Sequence, residues 1–94
     1  MIIYLSSSDV NFLIKNFEGY SFIQHFKKAQ GVGEFVVKDS YRTGKYQIDL
    51  TFNEMEKVKE ALGTLLLEKG VGNNSEINAV GYKIENLIDQ FNNE

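Results

Sequence analysis

The only histidine in the chain, His25, is the first residue whose side chain could do chemistry. An imidazole works as a general base or a metal ligand only with a nucleophile, an orienting acid or further ligands around it. The neighbours that His25 has on its predicted helix are Gln24 and Lys28, and the chain contains no cysteine. We therefore interpret His25 as a boundary or surface residue.

A glycine pair and a group of carboxylates also have spacings that occur in functional sites. Gly31-Val32-Gly33 could belong to a phosphate-binding loop, but such a loop follows a strand and opens a helix, and here the order is reversed. Glu56 and Glu60 lie one helical turn apart, but lysines stand between them, as on a solvated helix face. The sequence predicts no catalytic residue, no cofactor, no metal and no small-molecule substrate, so we expect a protein that is not an enzyme.

A cluster of basic and aromatic residues could contact nucleic acid. Tyr41, Arg42, Lys45 and Tyr46 flank a predicted turn, where cations could meet phosphates and tyrosines could stack on bases. The whole chain argues against this contact, because its net charge is −3 and its pI is near 5.1, whereas proteins that bind through phosphates are usually basic. A nucleic-acid accessory protein is therefore the alternative hypothesis.

Three large apolar residues do not fit the predicted core. Phe12, Leu67 and Tyr82 lie on three different helices, each roughly 160 to 180° from the apolar stripe of its own helix. A single exposed apolar residue is ordinary, but its repetition on three helices indicates a second contact surface. We expect this surface to bind a protein partner or a second copy of the chain as a homodimer.

Length and composition indicate the size and class of the protein that carries these residues. The chain has 94 residues, 43% of them hydrophobic and 24% charged, which is typical of one globular domain, 1–94. The absence of cysteine fits a reducing cytoplasm, and the apolar run from Met1 to Leu5 is too short for a signal peptide or a membrane span. Nine lysines against one arginine suggest a gene of low G+C content, as in many bacteria and phages.

The N-terminal half begins with a short strand followed by two helical segments. Ile2 to Leu5 is β-branched and aromatic and predicts a buried strand. The next segment has four apolar residues on one helix face: Val10, Leu13, Ile14 and Phe17. Glu18-Gly19-Tyr20 interrupts this helix, and we expect Ser21 to cap a second helix that ends at Gly31.

Residues 34–52 predict a β-hairpin. Apolar and polar residues alternate from 46 to 52, and Thr43-Gly44 could form a two-residue turn in which Gly44 supplies a positive φ. The predicted cross-strand pairs match in polarity: Phe35 with Phe52, Val37 with Leu50, Tyr41 with Tyr46, Lys38 with Asp49, and Ser40 with Gln47. Asp39 would fall on the apolar face, so we expect it at the rim of the sheet.

The C-terminal half predicts two antiparallel helices. Thr51 or Asn53 could cap the first, Gly70 would end it, and Asn73, Asn74 or Ser75 would cap the second. Their apolar stripes share one spacing: Met55, Val58, Leu62, Leu65 and Leu66 in the first, and Ile77, Val80, Ile84, Leu87, Ile88 and Phe91 in the second. The short link between the stripes makes the helices neighbours in a helical hairpin.

These elements together predict an α+β fold. It contains a small three-stranded sheet that includes the hairpin of about 34–52, two N-terminal helical segments and a C-terminal antiparallel helical hairpin. The position of the first strand in the sheet is left open. With no nucleophile–base pair and no cofactor loop, the function predicted is that of a non-catalytic cytoplasmic protein, a regulator, inhibitor or subunit, acting through protein–protein contact.

Overall fold

The computed structural model of the chain shows a small α+β fold. It describes residues 1–34, 36–37, 41–42, 44–72 and 76–92, and for 36–37 and 41–42 it describes the backbone alone. The elements in chain order are β1 (Ile2–Ser6), α1 (Ser7–Asn16), α2 (Ile23–Val32), β2 (Val36–Val37), β3 (Tyr41–Arg42), β4 (Lys45–Asp49), α3 (Phe52–Lys69) and α4 (Ala79–Asn92). The chain divides into two compact units, Met1–Thr51 and Phe52–Glu94.

A two-stranded antiparallel sheet joins the two ends of the first unit. β1 pairs with β4 in a register that places Ile3 opposite Ile48 and Leu5 opposite Tyr46. Ile3, Leu5 and Ile48 are buried, whereas the residues that alternate with them in the two strands are exposed or only partly buried. One face of the sheet therefore belongs to the core of this unit, as the alternation along each strand predicts.

Helices α1 and α2 and the link between them supply most of the other buried residues of this unit. Ser6 caps α1, because its hydroxyl oxygen accepts a hydrogen bond of 3.2 Å from the N–H of Asp9. The buried residues of the two helices and of the link between them are apolar: Val10, Leu13, Phe17, Phe22, Ile23, Phe26 and Ala29. The predicted interruption near Gly19 is confirmed, because α1 ends at Asn16 and α2 begins at Ile23.

Aromatic rings fill the link between α1 and α2. Phe22 lies at the centre, stacked on Tyr20 with ring centroids 5.2 Å apart and edge-on to Phe17 and Phe26 at 5.9 and 6.2 Å. Phe22 also takes the position before α2 with helical backbone angles, so the predicted cap at Ser21 is wrong. Burial of this ring fixes the helix start in place of a hydroxyl cap.

The helix α2 ends later than the sequence predicts. It continues through Gly31 to Val32 and stops at Gly33, whose φ of 97° lies in the region that favours glycine. The N–H of Gly33 donates to the carbonyl oxygen of Ala29 at 3.0 Å and closes the last turn. The second glycine of the pair, and not the first, is therefore the helix stop.

The predicted three-stranded sheet is not confirmed. β4 pairs with β1, and Val37 pairs with Tyr41 instead of Leu50, while Tyr46 lies opposite Leu5 instead of Tyr41. Phe52 is the first residue of α3 and is exposed, so it does not extend the strand. Gly44 does have the predicted positive φ, 74°. The predicted positions of Phe35, Lys38, Asp39 and Ser40 lie outside the described residues.

The second unit contains the predicted helical hairpin. In α3 the buried residues are Met55, Val58, Ala61, Leu62 and Leu65, and in α4 they are Gly81, Ile84, Leu87 and Phe91. The helix α3 ends at Lys69, before Gly70, as predicted. Both stripes follow the helical spacing of three and four residues, which lets two antiparallel helices share one seam.

The beginning of α4 differs from the prediction. Ile77 precedes the helix and forms an isolated antiparallel bridge with Val71, and Val80 lies in the first turn with 41% of its surface exposed. The predicted caps at Asn73, Asn74 and Ser75 lie outside the described residues, and Asn78 is the residue that precedes the helix. The buried stripe therefore starts at Gly81, where a larger side chain has no room.

Asn78 connects the end of α3 to the start of α4. Its side-chain Nδ2 donates to the carbonyl oxygen of Lys69 at 3.0 Å, and its Oδ1 accepts from the N–H of Gly81 at 2.8 Å. Its backbone N–H donates to the carbonyl oxygen of Gly70 at 3.0 Å. One residue thus satisfies a carbonyl at the end of α3 and an amide at the start of α4, the groups that helix ends leave without partners.

Candidate functional site

A groove in the first unit is the candidate binding site. One wall is a face of α2 formed by residues that are three and four positions apart: His25, Lys28, Ala29 and Val32. Gln47 and Asp49 of β4 also line the groove, together with Gly33 and Glu34. The volume of the groove is about 410 Å³, which lies within the range of small-molecule sites.

The chemistry of the groove is mixed. Lys28 and Val32 are exposed, with 80% of the surface of Val32 accessible, while Glu34 is half-buried and its Oε2 atom is shielded from solvent. The Asp49 carboxylate is exposed and lies 3.5 Å from the ammonium group of Met1. Cationic, anionic and apolar groups therefore line the same groove, which suits a ligand that is itself both polar and apolar.

His25 lies where the sequence places it, at a boundary. It is half-buried on α2 and lines the groove, as Lys28 and Glu34 do. Within the described part of the chain, no three side chains of His, Cys, Asp or Glu are grouped so that they could hold a metal ion.

Sequence reasoning did not identify Gln47 and Asp49 as site residues. It places them on the polar face of the second strand of the predicted hairpin, opposite Ser40 and Lys38. In the structure both are exposed residues of a strand whose only neighbour among the described strands is β1. The available signal was their alternation with Tyr46 and Ile48, which fixes the face of the strand but does not identify its partner.

The predicted contact residues Phe12, Leu67 and Tyr82 do not share one environment. Leu67 and Tyr82 are exposed to 80% and 66% on the outward faces of α3 and α4, away from the buried stripes. Phe12 belongs to the first unit and is half-buried on α1. The helical hairpin therefore presents two of the three residues to solvent, and Phe12 is partly covered.

The link end of the helical hairpin carries further exposed apolar residues, and the sequence assigns two of them, Ile77 and Val80, to the core. Val71 and Ile77 lie opposite each other across the isolated bridge, and each is exposed by a little over a third. Val80 follows in the first turn of α4, and Leu67 precedes Val71 by four residues. Leu67 thus stands at the end of the hairpin where exposed apolar surface accumulates.

The four residues of the nucleic-acid alternative are divided between two strand pairs. Tyr41 and Arg42 form β3 and pair with Val37 and Val36, whereas Lys45 and Tyr46 begin β4 and pair with Ser6 and Leu5. Lys45 is exposed and Tyr46 is half-buried. The two tyrosines are therefore not the cross-strand partners that the hairpin register predicts.

The described helices and the comparisons with known proteins complete the observations on function. No helix in the described ranges combines the length and the apolar character that a membrane crossing requires. Comparisons with protein-family models, with curated proteins and with solved structures give no significant match.

Proposed function

We propose that the protein is a non-catalytic regulator, inhibitor or subunit that acts through protein–protein contact, and that one partner is a second copy of itself. The observation that supports this proposal best is the exposure of Leu67 on the outward face of α3. A leucine with 80% of its surface in water gains free energy whenever another surface covers it. Tyr82 adds an aromatic ring on the outward face of α4, and tyrosine is common in protein interfaces.

The expected strength of this contact follows from the area that it can bury. Covering a large apolar side chain contributes about 1.5 to 3 kcal/mol, so Leu67 and Tyr82 together with the apolar residues Val71 and Ile77 could support micromolar association. The acidic balance of residues 53–94, four basic against eight acidic side chains, opposes self-association at low salt. A homodimer should therefore become tighter as salt is added.

Light scattering across a roughly hundredfold range of protein concentration tests the proposal. The wild-type chain should change from monomer to dimer, and Leu67→Lys should remain a folded monomer throughout the range. The matched control is Val32→Lys, because Val32 is equally exposed but lies on α2 in the first unit. We expect Val32→Lys to dimerise like the wild type.

Three results would contradict the proposal. A wild type that is monomeric at every concentration excludes the homodimer. Equal dissociation by Leu67→Lys and Val32→Lys indicates a general effect of added charge instead of a surface at Leu67. Unfolding of Leu67→Lys, seen by circular dichroism, would show that Leu67 contributes to the core.

A further inference from the structure

We propose that the groove between α2 and β4 binds an extended peptide segment of another protein, which joins the β1–β4 sheet as an additional strand. This inference concerns the first unit and is independent of the contact proposed for Leu67. It rests on the direction of the main-chain groups of β4 and on the residues and charges that line the groove.

The hydrogen bonds between Met1 and Leu50 fix the direction of the main-chain groups in β4. The N–H of Leu50 donates to the carbonyl oxygen of Met1 at 2.8 Å, and the Met1 ammonium donates to the carbonyl oxygen of Leu50 at 2.8 Å. In an antiparallel ladder every second residue exchanges bonds with its partner, so Ile48 and Tyr46 also face β1. The N–H and C=O groups of Gln47 and Asp49 consequently point away from β1.

Within the described part of the chain, Gln47 and Asp49 therefore form an open strand edge. Among the described residues, none hydrogen-bonds to the main chain of Gln47 or Asp49 on the side away from β1. Both residues line the groove. Donors and acceptors that alternate along an extended backbone are the pattern that a second extended backbone satisfies, and such edges recruit peptides in many binding domains.

The walls of the groove specify the side chains of the peptide. Successive residues of a strand point to opposite faces, so one set of peptide side chains would meet α2 and the other set would lie beside Asp49. Ala29 and Val32 offer apolar contact to the first set. The Asp49 carboxylate favours a basic residue directly opposite, since cross-strand pairs of opposite charge are stabilising. The occupant we infer is a segment that alternates small apolar and basic residues.

The probe for this site is the blocked peptide Val-Lys-Val-Lys-Val, followed through the backbone amide signals of isotope-labelled protein by NMR. We expect saturable shifts centred on Gln47, Asp49 and the groove face of α2. Two further peptides carry N-methyl groups, one on the valines and one on the lysines. Because only alternate peptide N–H groups face β4, one of these peptides should bind about tenfold more weakly or worse, and the other should bind like the parent.

Two variants of the protein test the same edge from the other side. Gln47→Pro removes the edge N–H without removing a bond to β1, because this N–H points away from β1. Gln47→Ala changes the side chain but keeps the N–H, so it is the matched control. We expect about tenfold weaker peptide binding in Gln47→Pro and little change in Gln47→Ala. Asp49→Asn should weaken the lysine peptide but not a Val-Ser-Val-Ser-Val peptide.

Several outcomes would overturn the proposal. They are the absence of saturable shifts with Val-Lys-Val-Lys-Val, equal binding of the two N-methylated peptides, or shifts produced equally by free valine and lysine, which would indicate a small-molecule pocket. If Gln47→Pro does not fold, the N-methylated peptides still decide, because they leave the protein unchanged. Hydrogen exchange gives an independent check: without peptide, the amides of Gln47 and Asp49 should exchange faster than that of Ile48, and equal protection of all three contradicts an open edge.

Discussion

Gly70 and Gly81 pack backbone against backbone where α3 and α4 meet. A Cβ added to Gly70 would lie 2.9 Å from Cα of Gly81, and a Cβ added to Gly81 would clash with the carbonyl oxygen of Gly70. Real Cβ atoms do not come this close to backbone atoms. The backbones at Gly70 and Gly81 can therefore approach each other only because neither residue has a side chain. The closeness also brings the Gly70 carbonyl within reach of the N–H of Asn78.

We expect Gly81→Ala to destabilise the protein although alanine favours helices. The added methyl would force α4 away from α3 and from Ile77, and overpacking of this kind costs about 1 to 3 kcal/mol. The matched control is Gly63→Ala in α3, where a Cβ meets nothing within 4 Å. That variant should gain roughly 0.5 to 1 kcal/mol from helix propensity. Thermal melts should move in opposite directions, and two parallel shifts would contradict the close approach.

Asn78→Ala should cost about 1 to 3 kcal/mol, because it removes the cap of α4 and leaves the Lys69 carbonyl without its side-chain donor. Asn78→Asp separates the two roles. Aspartate keeps the oxygen that accepts from Gly81 but has no N–H for Lys69, and its charge lies beside the C-terminal end of α3. We expect an intermediate loss in urea denaturation; a loss equal to that of Asn78→Ala would show that the Lys69 contact dominates.

The seam of the helical hairpin should be sensitive to truncation on either helix. Leu62 and Ile84 are both fully buried, so Leu62→Ala and Ile84→Ala should each cost about 2 to 5 kcal/mol through lost burial and a residual cavity. Glu60→Ala, on the exposed side of α3, is the control and should change stability little. The seam assignment fails if all three variants melt at the same temperature.

Two phenylalanines provide a direct comparison between core and surface. Phe22 is buried within the aromatic cluster, whereas Phe52 has 65% of its surface exposed at the start of α3. Phe22→Ala should cost about 3 to 5 kcal/mol, and Phe52→Ala about 0.5 kcal/mol or less. Chemical denaturation measures both. A large loss in Phe52→Ala would restore the sequence-based expectation that Phe52 belongs to the core.

Nucleic-acid contact should be absent at physiological salt. We expect no gel shift of short DNA or RNA, because the protein is acidic and the tyrosines of the proposed surface lie in different strand pairs. If a shift does occur at low salt, Arg42→Ala and Lys45→Ala provide the test. Weaker binding and a flatter salt dependence in both variants would support the alternative hypothesis.

The sequence predicts which face of each helix or strand is buried better than it predicts which strands pair. The alternation around Ile48 correctly identifies a half-buried strand, and the helical spacing correctly identifies Leu62 and Ile84 as seam residues. Strand pairing depends on which strand lies alongside in three dimensions. The partner of β4 is β1, whose buried face carries Ile3 and Leu5. A local turn at Gly44 could not reveal a pairing with residues so distant in the chain.

The sequence predicts less of the candidate site than of the fold. Its main feature is the edge of β4 that no other described strand pairs with, and no residue type marks which edge of a strand that will be. Leu67 and Tyr82 were predicted from their positions on the helix wheel, because a residue opposite an apolar stripe faces solvent whatever the stripe packs against. Phe12 satisfied the same rule, yet it is partly covered in the structure.

The pairing of Met1 with Leu50 also has a consequence for how the chain acquires its structure. These residues are 49 positions apart, so on a ribosome the first strand must wait for most of its unit to emerge before it finds its partner. The second unit depends on contacts as local as that between Gly70 and Asn78. Short-range contacts close quickly and distant ones slowly, so refolding should show early helix formation followed by a slower phase in which the sheet assembles.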